Sequence, residues 1–155
     1  MYQKVLVPLD GSKLAECVLP HVQSIVSGCG VRSAEFVRVI EPGPMAMGDD
    51  GGAISPEDER KITAANWKEA EDYLNALVSR ISYDNVKTGT KVLSGKAAEV
   101  IADYATKNGA DLIVIATHGR SGVSRWVWGS VADRVLRSAC VPVLMVRAPG
   151  CIPGI

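Results

Sequence analysis

The sequence predicts a doubly wound α/β fold: a parallel sheet of five strands with helices on both faces. Strand-like and helix-like patterns alternate from end to end, as a parallel sheet joined by helical crossovers requires. The run Asp111-Leu112-Ile113-Val114-Ile115-Ala116 is short, apolar and rich in β-branched residues, the signature of a strand buried on both faces. Glycine-bearing turns follow the strands and open into amphipathic stretches.

Taken in order, Lys4 to Leu9 is the first strand, and Asp10-Gly11-Ser12 a turn whose Asp and Ser can each cap the helix that follows. Leu14, Val18, Val22, Ile25 and Val26 recur at helical spacing, and Gly28 to Gly30 end that helix. Ala34 to Ile40 is the second strand. From Glu41 to Ser55 the chain is crowded with Gly, Pro and Asp, loses all apolar period and reads as a long loop. Pro56 takes a first-turn position, with Glu57, Asp58 and Glu59 suited to a helix start. Trp67, Ala70, Leu74, Leu77, Val78 and Ile81 form that helix's inner stripe, with Ile62 at its margin. Val86 to Leu93 is the third strand, Ser94-Gly95-Lys96 a tight turn, and Ala97 to Lys107 a helix closed by Asn108-Gly109. The Asp111 run is the fourth strand. Gly129 to Ser138 is the last helix, with Val131, Val135 and Leu136 facing inward, and Val141 to Val146 the fifth strand. Pro142 cannot donate a ladder bond, so that strand lies at an edge or begins there.

At 155 residues the chain is one domain, residues 1–147, with a C-terminal tail at 148–155 that carries prolines and glycines and no pattern. A chain of this size buries about two-thirds of the surface its unfolded form exposes, so no disulfide or metal staple is needed. Seventeen basic residues balance seventeen acidic ones, which leaves no net field to attract nucleic acid or an anionic membrane. No apolar run is long enough to span a bilayer and no signal segment opens the chain, which reads as cytoplasmic. The four cysteines, Cys17, Cys29, Cys140 and Cys151, are scattered without a paired or metal-ligand spacing; Cys17 and Cys140 are expected as small core residues.

Chemistry concentrates after the fourth strand. Thr117-His118-Gly119, then nine residues (Arg120 to Trp128), then Gly129-Ser130 carry the chain from strand to helix. A helix start leaves backbone N–H groups unpaired and bears the positive end of the dipole, while glycine lets an anion approach the main chain. This loop suits phosphate. In an open α/β sheet a ligand sits beyond the carboxyl ends of the strands, where strand order reverses. The loops Pro8 to Ser12, Val39 to Pro42 and Ala116 to Gly119 should converge there, joined by Ser94-Gly95-Lys96.

Together, Val5-Leu6-Val7-Pro8-Leu9-Asp10-Gly11-Ser12, the stretch from Asp111 through Gly122, Gly129 to Leu136 and Val141 to Val146 resemble the universal stress protein family. The resemblance runs from Lys4 to Arg147 and implies a Rossmann-like sheet of the adenine nucleotide alpha hydrolase type, strand order 3-2-1-4-5. Members that bind ATP or AMP carry G-x-x-G-(nine residues)-G-[S/T]; here the first glycine is replaced by Ala116. A methyl there is tolerated where φ is negative.

The resemblance implies that Gly119, Gly129 and Ser130 hold phosphate, with a further amide from Val131. It places Asp10 near the ribose or a phosphate-bound Mg2+ or Mn2+, Val39 at the adenine edge, and Pro8, Leu9 and Ile115 around the base, with Gly95, Ala116, Thr117, His118 and Arg120 alongside. Each assignment has a structural rival. For Asp10 the rival is a helix cap alone, and His118, which has no orienting carboxylate nearby in sequence, reads as a loop residue near the ligand rather than a general base. Arg120 and Arg125 either neutralise phosphate or are ordinary exposed cations, as are Lys13 and Lys96; Trp126 and Trp128 either cover the pocket or pack under the loop, with packing the expectation; and Asp49-Asp50 matches no metal loop. No catalytic constellation is present.

The function implied is adenine-nucleotide binding by a stress or regulatory protein, with a homodimer formed through the edge strand and Val143 and Val146 reinforcing the pairing. Two alternatives are a slow ATP hydrolase, for which the sequence lacks a phosphate-binding lysine loop, and a partner-binding scaffold with a decayed pocket, for which Ala116 is the hint.

Overall fold

The computed structural model describes residues 2–42, 55–117 and 130–147 of the chain. Its elements are β1 (Lys4–Pro8), a 3-10 turn (Ala15–Val18), α1 (Leu19–Cys29), β2 (Ser33–Ile40), α2 (Pro56–Arg80), β3 (Lys87–Ser94), α3 (Ala97–Lys107), β4 (Leu112–Ala116), α4 (Ser130–Ser138) and β5 (Val143–Val146). The strands form one five-stranded sheet in the order β3-β2-β1-β4-β5. All four neighbouring pairs are parallel. The doubly wound architecture expected from the alternating pattern is therefore the one observed.

Alternation along the strands divides the core in two. Val5, Val7, Phe36, Val114 and Val146 face α1 and α2, where Val22, Val26, Ala70, Leu74 and Leu77 cover them. Leu6, Val37, Ile113 and Ile115 face the other way, under Ile101 and Ala105 of α3 and Ala132 and Val135 of α4. Because both faces are covered, β1 and β4 are buried along almost their whole length, which is why they read as unbroken apolar runs.

The helix entries depart from expectation in detail. Between the first turn and α1 the chain makes the 3-10 turn, and α1 begins at Leu19 with Pro20 in its first turn. Ser55 caps α2 by accepting from the Asp58 N–H, with Pro56 in the position expected of it. The α2 stripe is the expected one: Ala70, Leu74 and Leu77 are fully buried and Trp67, Val78 and Ile81 pack against their cluster, while Ile62, expected at the margin, stands 50% exposed. That follows from geometry, because residues 56–66 of this 25-residue helix are exposed throughout and run clear of the sheet.

Three further expectations are corrected. In α4, Val131 and Leu136 were expected inside, but the buried line is Ala132 and Val135, one turn apart, which rotates the other two to the surface. Cys140 is exposed rather than in the core because it lies in the connection between α4 and β5; Cys17 is half-buried, and burial pushes its thiol pKa up. At β5, Val146 faces the core instead of the open edge, and Leu144 is the exposed apolar residue. The strand itself begins after Pro142, whose carbonyl accepts from the Ile113 N–H at 2.9 Å, so proline serves only as an acceptor. The segment 43–54, with Asp49 and Asp50, and the tail from 148 onward lie outside the described residues.

Candidate functional site

Strand register assembles the candidate site. Val5 pairs with Leu112 and Leu6 with Ile113 on one side of β1, while Pro8 pairs with Val37 on the other. Continuing the same registers past the last paired residues sets Asp10 level with Thr117 across β4 and with Val39 across β2; Val39 in turn pairs with Leu93. Three residues far apart in sequence thus share one row at the carboxyl edge of the sheet. That row straddles the β1–β4 junction, where the strand order reverses and open α/β sheets form their ligand crevice.

The first helical turn of α4 belongs to the same edge. Because β5 runs parallel to β4, α4 must carry the chain back toward the amino edge, so Ser130 and Val131 stand at the carboxyl end of the sheet. Ala132 and Val135 are buried in the same cluster as Ile113 and Ile115, which seats the helix on that face of the sheet beside α3 and β5. Val131 presents its side chain outward, so any part it takes in the site is through its main chain.

The wall residues divide between the two faces. Val39 packs on the α3/α4 side of the sheet, where Ile115 is buried. Leu9 belongs to the opposite cluster with Ala15 and Val18, so its side chain faces away from both. Its N–H donates to the Val37 carbonyl at 2.8 Å, extending the β1–β2 ladder past Pro8. Ala116 also faces the α1 side, as a strand residue paired with Val146; Asn85 is the one non-glycine residue with positive φ among those described. The methyl at the position of the motif's first glycine therefore sits in a conformation that suits it. Thr117 is buried, and its N–H donates to the Val146 carbonyl at 2.8 Å.

The β1 loop is a closed turn. Asp10 Oδ1 accepts from both the N–H (2.9 Å) and the hydroxyl (2.7 Å) of Ser12, and the Ser12 hydroxyl oxygen accepts from the Ala15 N–H at 3.1 Å. Ser12, rather than Asp10, thus meets the helical turn, while Asp10 fixes Ser12. Gly11 makes this possible with φ of 89°. Gly95 is likewise constrained: its φ is 132°, and a Cβ there would lie 2.7 Å from Val100 Cγ2. Its N–H donates to the Ile40 carbonyl at 3.0 Å, tying the β3 turn to the end of β2.

Glu41, expected only as part of the loop Val39 to Pro42 at the crevice, has a specific partner: its Oε1 accepts from the Ala97 N–H at 2.8 Å and satisfies the first turn of α3. A protein carboxylate already occupies that helix start. Arg38, buried beneath the β1 loop, was missed, because a charged residue in an otherwise apolar strand reads as an outward-facing position. Lys13 pairs with Glu16 at 3.3 Å and Lys96 with Glu99 at 3.6 Å, both as exposed lysines. Glu16 also meets Arg80 at 2.7 Å; burial alone would raise its pKa, but hydrogen bonds and charge from Arg80 and Lys13 bring the net value below the ordinary carboxylate range. A second polar cluster lies near the opposite edge, where Glu35 pairs with Lys4 at 2.8 Å and accepts from the Tyr104 hydroxyl at 2.9 Å. Burial and then the Glu35 carboxylate push Tyr104 up to about 12.

His118, Gly119, Arg120, Arg125, Trp126, Trp128 and Gly129 lie outside the described residues. Among those described, no group of three or more His, Cys, Asp or Glu gathers to hold a metal ion, and no helix is long and apolar enough to cross a membrane.

The family model for universal stress proteins matches residues 1–147. The chain belongs to the universal stress protein family. Among curated relatives, universal stress protein MJ0531 of Methanocaldococcus jannaschii is 30% identical over 149 residues, covering 96% of this chain and 84% of that protein. The solved structure of MJ0577 from the same organism superposes with a TM-score of 0.81 at 24% identity, covering 97% of this chain and 99% of that one. A universal stress protein of Arabidopsis thaliana, solved with AMP bound, gives a TM-score of 0.64 at 17% identity over 96% of this chain and 93% of its own. At those identities the two structures establish a shared fold.

Proposed function

We propose that this universal stress protein binds an adenine nucleotide, ATP or AMP, at the carboxyl edge of the sheet between β1 and β4. The observation that carries the reading is the shared row of Asp10, Val39 and Thr117 beside the first turn of α4. It brings a carboxylate, a strand edge with apolar walls and a helix start to one crevice. The AMP bound to the Arabidopsis relative supports the same ligand class.

In this reading Val39 offers main-chain groups to the base, with Pro8 and Ile115 as apolar walls, and Asp10 meets the ribose or a phosphate-bound cation. The amides and hydroxyl of the motif, Gly119, Gly129 and Ser130, take the phosphates, with His118 and Arg120 beside them and Gly95 bordering from β3. Only Ser130 of the motif's phosphate-holding residues lies in the described part of the chain. Mg2+ or Mn2+ would enter on the nucleotide, adding positive charge at the phosphates; Asp10 is the protein carboxylate suited to face it.

The biological role follows as a regulatory one: nucleotide occupancy biases a homodimer formed across β5, in the cytoplasm, without nucleic-acid or membrane partners. The open β5 edge and exposed Leu144 favour pairing with a second copy. Mass spectrometry of denatured protein purified without added nucleotide tests the binding step. Co-purified AMP, ADP or ATP at a substantial fraction of protein supports it; a nucleotide-free preparation that also fails to bind added ATP overturns it.

A further inference from the structure

Arg38 is the one buried charged residue among those described, its side chain 9% exposed. It lies one row below Val39, on the α1/α2 face of the sheet. Its guanidinium reaches over the end of β1 to the turn at Gly11: a Cβ on Gly11 would stand 3.0 Å from both Cζ and Nη1. From the other side α2 fixes it, since Glu69 accepts from Nη2 at 3.0 Å and the Tyr73 ring centroid lies 5.6 Å from Cζ.

The pair with Glu69 contributes little to stability on its own, because the Glu69 carboxylate is 64% exposed and solvent screens the attraction. What the arrangement supplies is shape. The flat guanidinium forms the floor beneath Gly11, at the turn where Asp10 and Ser12 close on each other; the φ of 89° favours glycine there, and a Cβ would crowd the guanidinium. From these contacts we infer that Arg38 is a positioning residue, held by Glu69 and Tyr73 of α2, that sets the conformation of the Asp10–Ser12 turn and thereby ligand affinity at the crevice. Its role is exerted through the turn, by contact with Gly11. The affinity half of this inference rests on the nucleotide reading above; the turn-ordering half does not.

The test compares full-length wild type, Arg38→Met, Arg38→Lys and Glu69→Gln by calorimetric titration with MgATP and by amide hydrogen exchange, well below each variant's melting temperature. Arg38→Met should weaken ATP binding about ten-fold and speed exchange at Gly11 and Ser12 while amides of β4 keep their protection. Lysine, which keeps the charge but not the planar fork, should recover part of both, and Glu69→Gln should show a smaller loss. Exchange that rises uniformly over the sheet marks Arg38 as merely structural and overturns the inference. So does a Met variant within two-fold of wild type in affinity with unaltered exchange at the turn. If wild type binds no adenine nucleotide, the functional reading fails, and exchange at Ser12 alone then decides for or against Arg38.

Discussion

Replacing Ala116 by glycine restores the family's motif and should make the protein worse. Ala116 is 8% exposed, ends β4 in a regular pairing with Val146, and directs its methyl into the cluster beneath α1. Removing a buried methyl costs about 0.8 kcal/mol. Glycine in a strand adds roughly 0.5–1 kcal/mol of backbone entropy lost on folding. The sum, about 1.5 kcal/mol, corresponds to a fall in Tm of about 3–6 °C for a chain of this length. Affinity for ATP should stay within about two-fold, since the methyl faces away from Val39 and Ile115. Differential scanning fluorimetry and calorimetric titration of the purified variant read both quantities. An ATP affinity raised ten-fold or more, or an unchanged Tm, would refute the reasoning, because the methyl would then be obstructing the ligand rather than filling the core.

Other outcomes follow from the same geometry. Leu74→Ala empties a fully buried position between α2 and the sheet and should cost about 2–5 kcal/mol in urea unfolding; a cost under about 1 kcal/mol would mean that α2 is not docked as described. Gly11→Ala combines φ of 89° with a Cβ 3.0 Å from Arg38, and should lower Tm and loosen ATP binding together. Glu16 has a depressed pKa in the folded state, so its contribution is present in full above the ordinary value of 4.5 and is lost as pH falls through the lower folded value. The Tm gap between wild type and Glu16→Gln should therefore be open at neutral pH and close as pH is taken below 4.5; a gap that widens with acid contradicts the assigned pairing with Arg80. Leu144→Lys should shift light-scattering mass from dimer toward monomer at micromolar concentration, whereas a wild type already monomeric there removes the edge-strand dimer.

The fold was legible because its strongest signals are local. β1 and β4 are buried on both faces and read as continuous apolar runs, and the α3 boundaries, Ala97 to Lys107, were evident from the Ser94-Gly95-Lys96 turn and the Asn108-Gly109 end. The facing of α4 was less legible, since Val131 and Leu136 outrank Ala132 in hydrophobicity while the rotation is set by tertiary packing, which buries Ala132 and Val135 in the cluster shared with α3. At the site, Asp10, Val39 and Thr117 could be singled out because each lies at or near the carboxyl end of a strand and the family resemblance points to those loops. Arg38 and Glu41 could not: one acts through Gly11 and α2, the other through the first turn of α3, and neither contact has a sequence period. Such tertiary hydrogen bonds join residues with no local pattern in common.

Calorimetric titration of nucleotide-stripped protein with MgATP, and separately with AMP, tests the central claim most directly. The crevice between β1 and β4 predicts saturable binding at one nucleotide per chain, lost or strongly weakened when Asp10 and Ser130 are both replaced by alanine in a variant that keeps its fold. No binding of either nucleotide at millimolar concentration, or equal binding by the double variant, would contradict it.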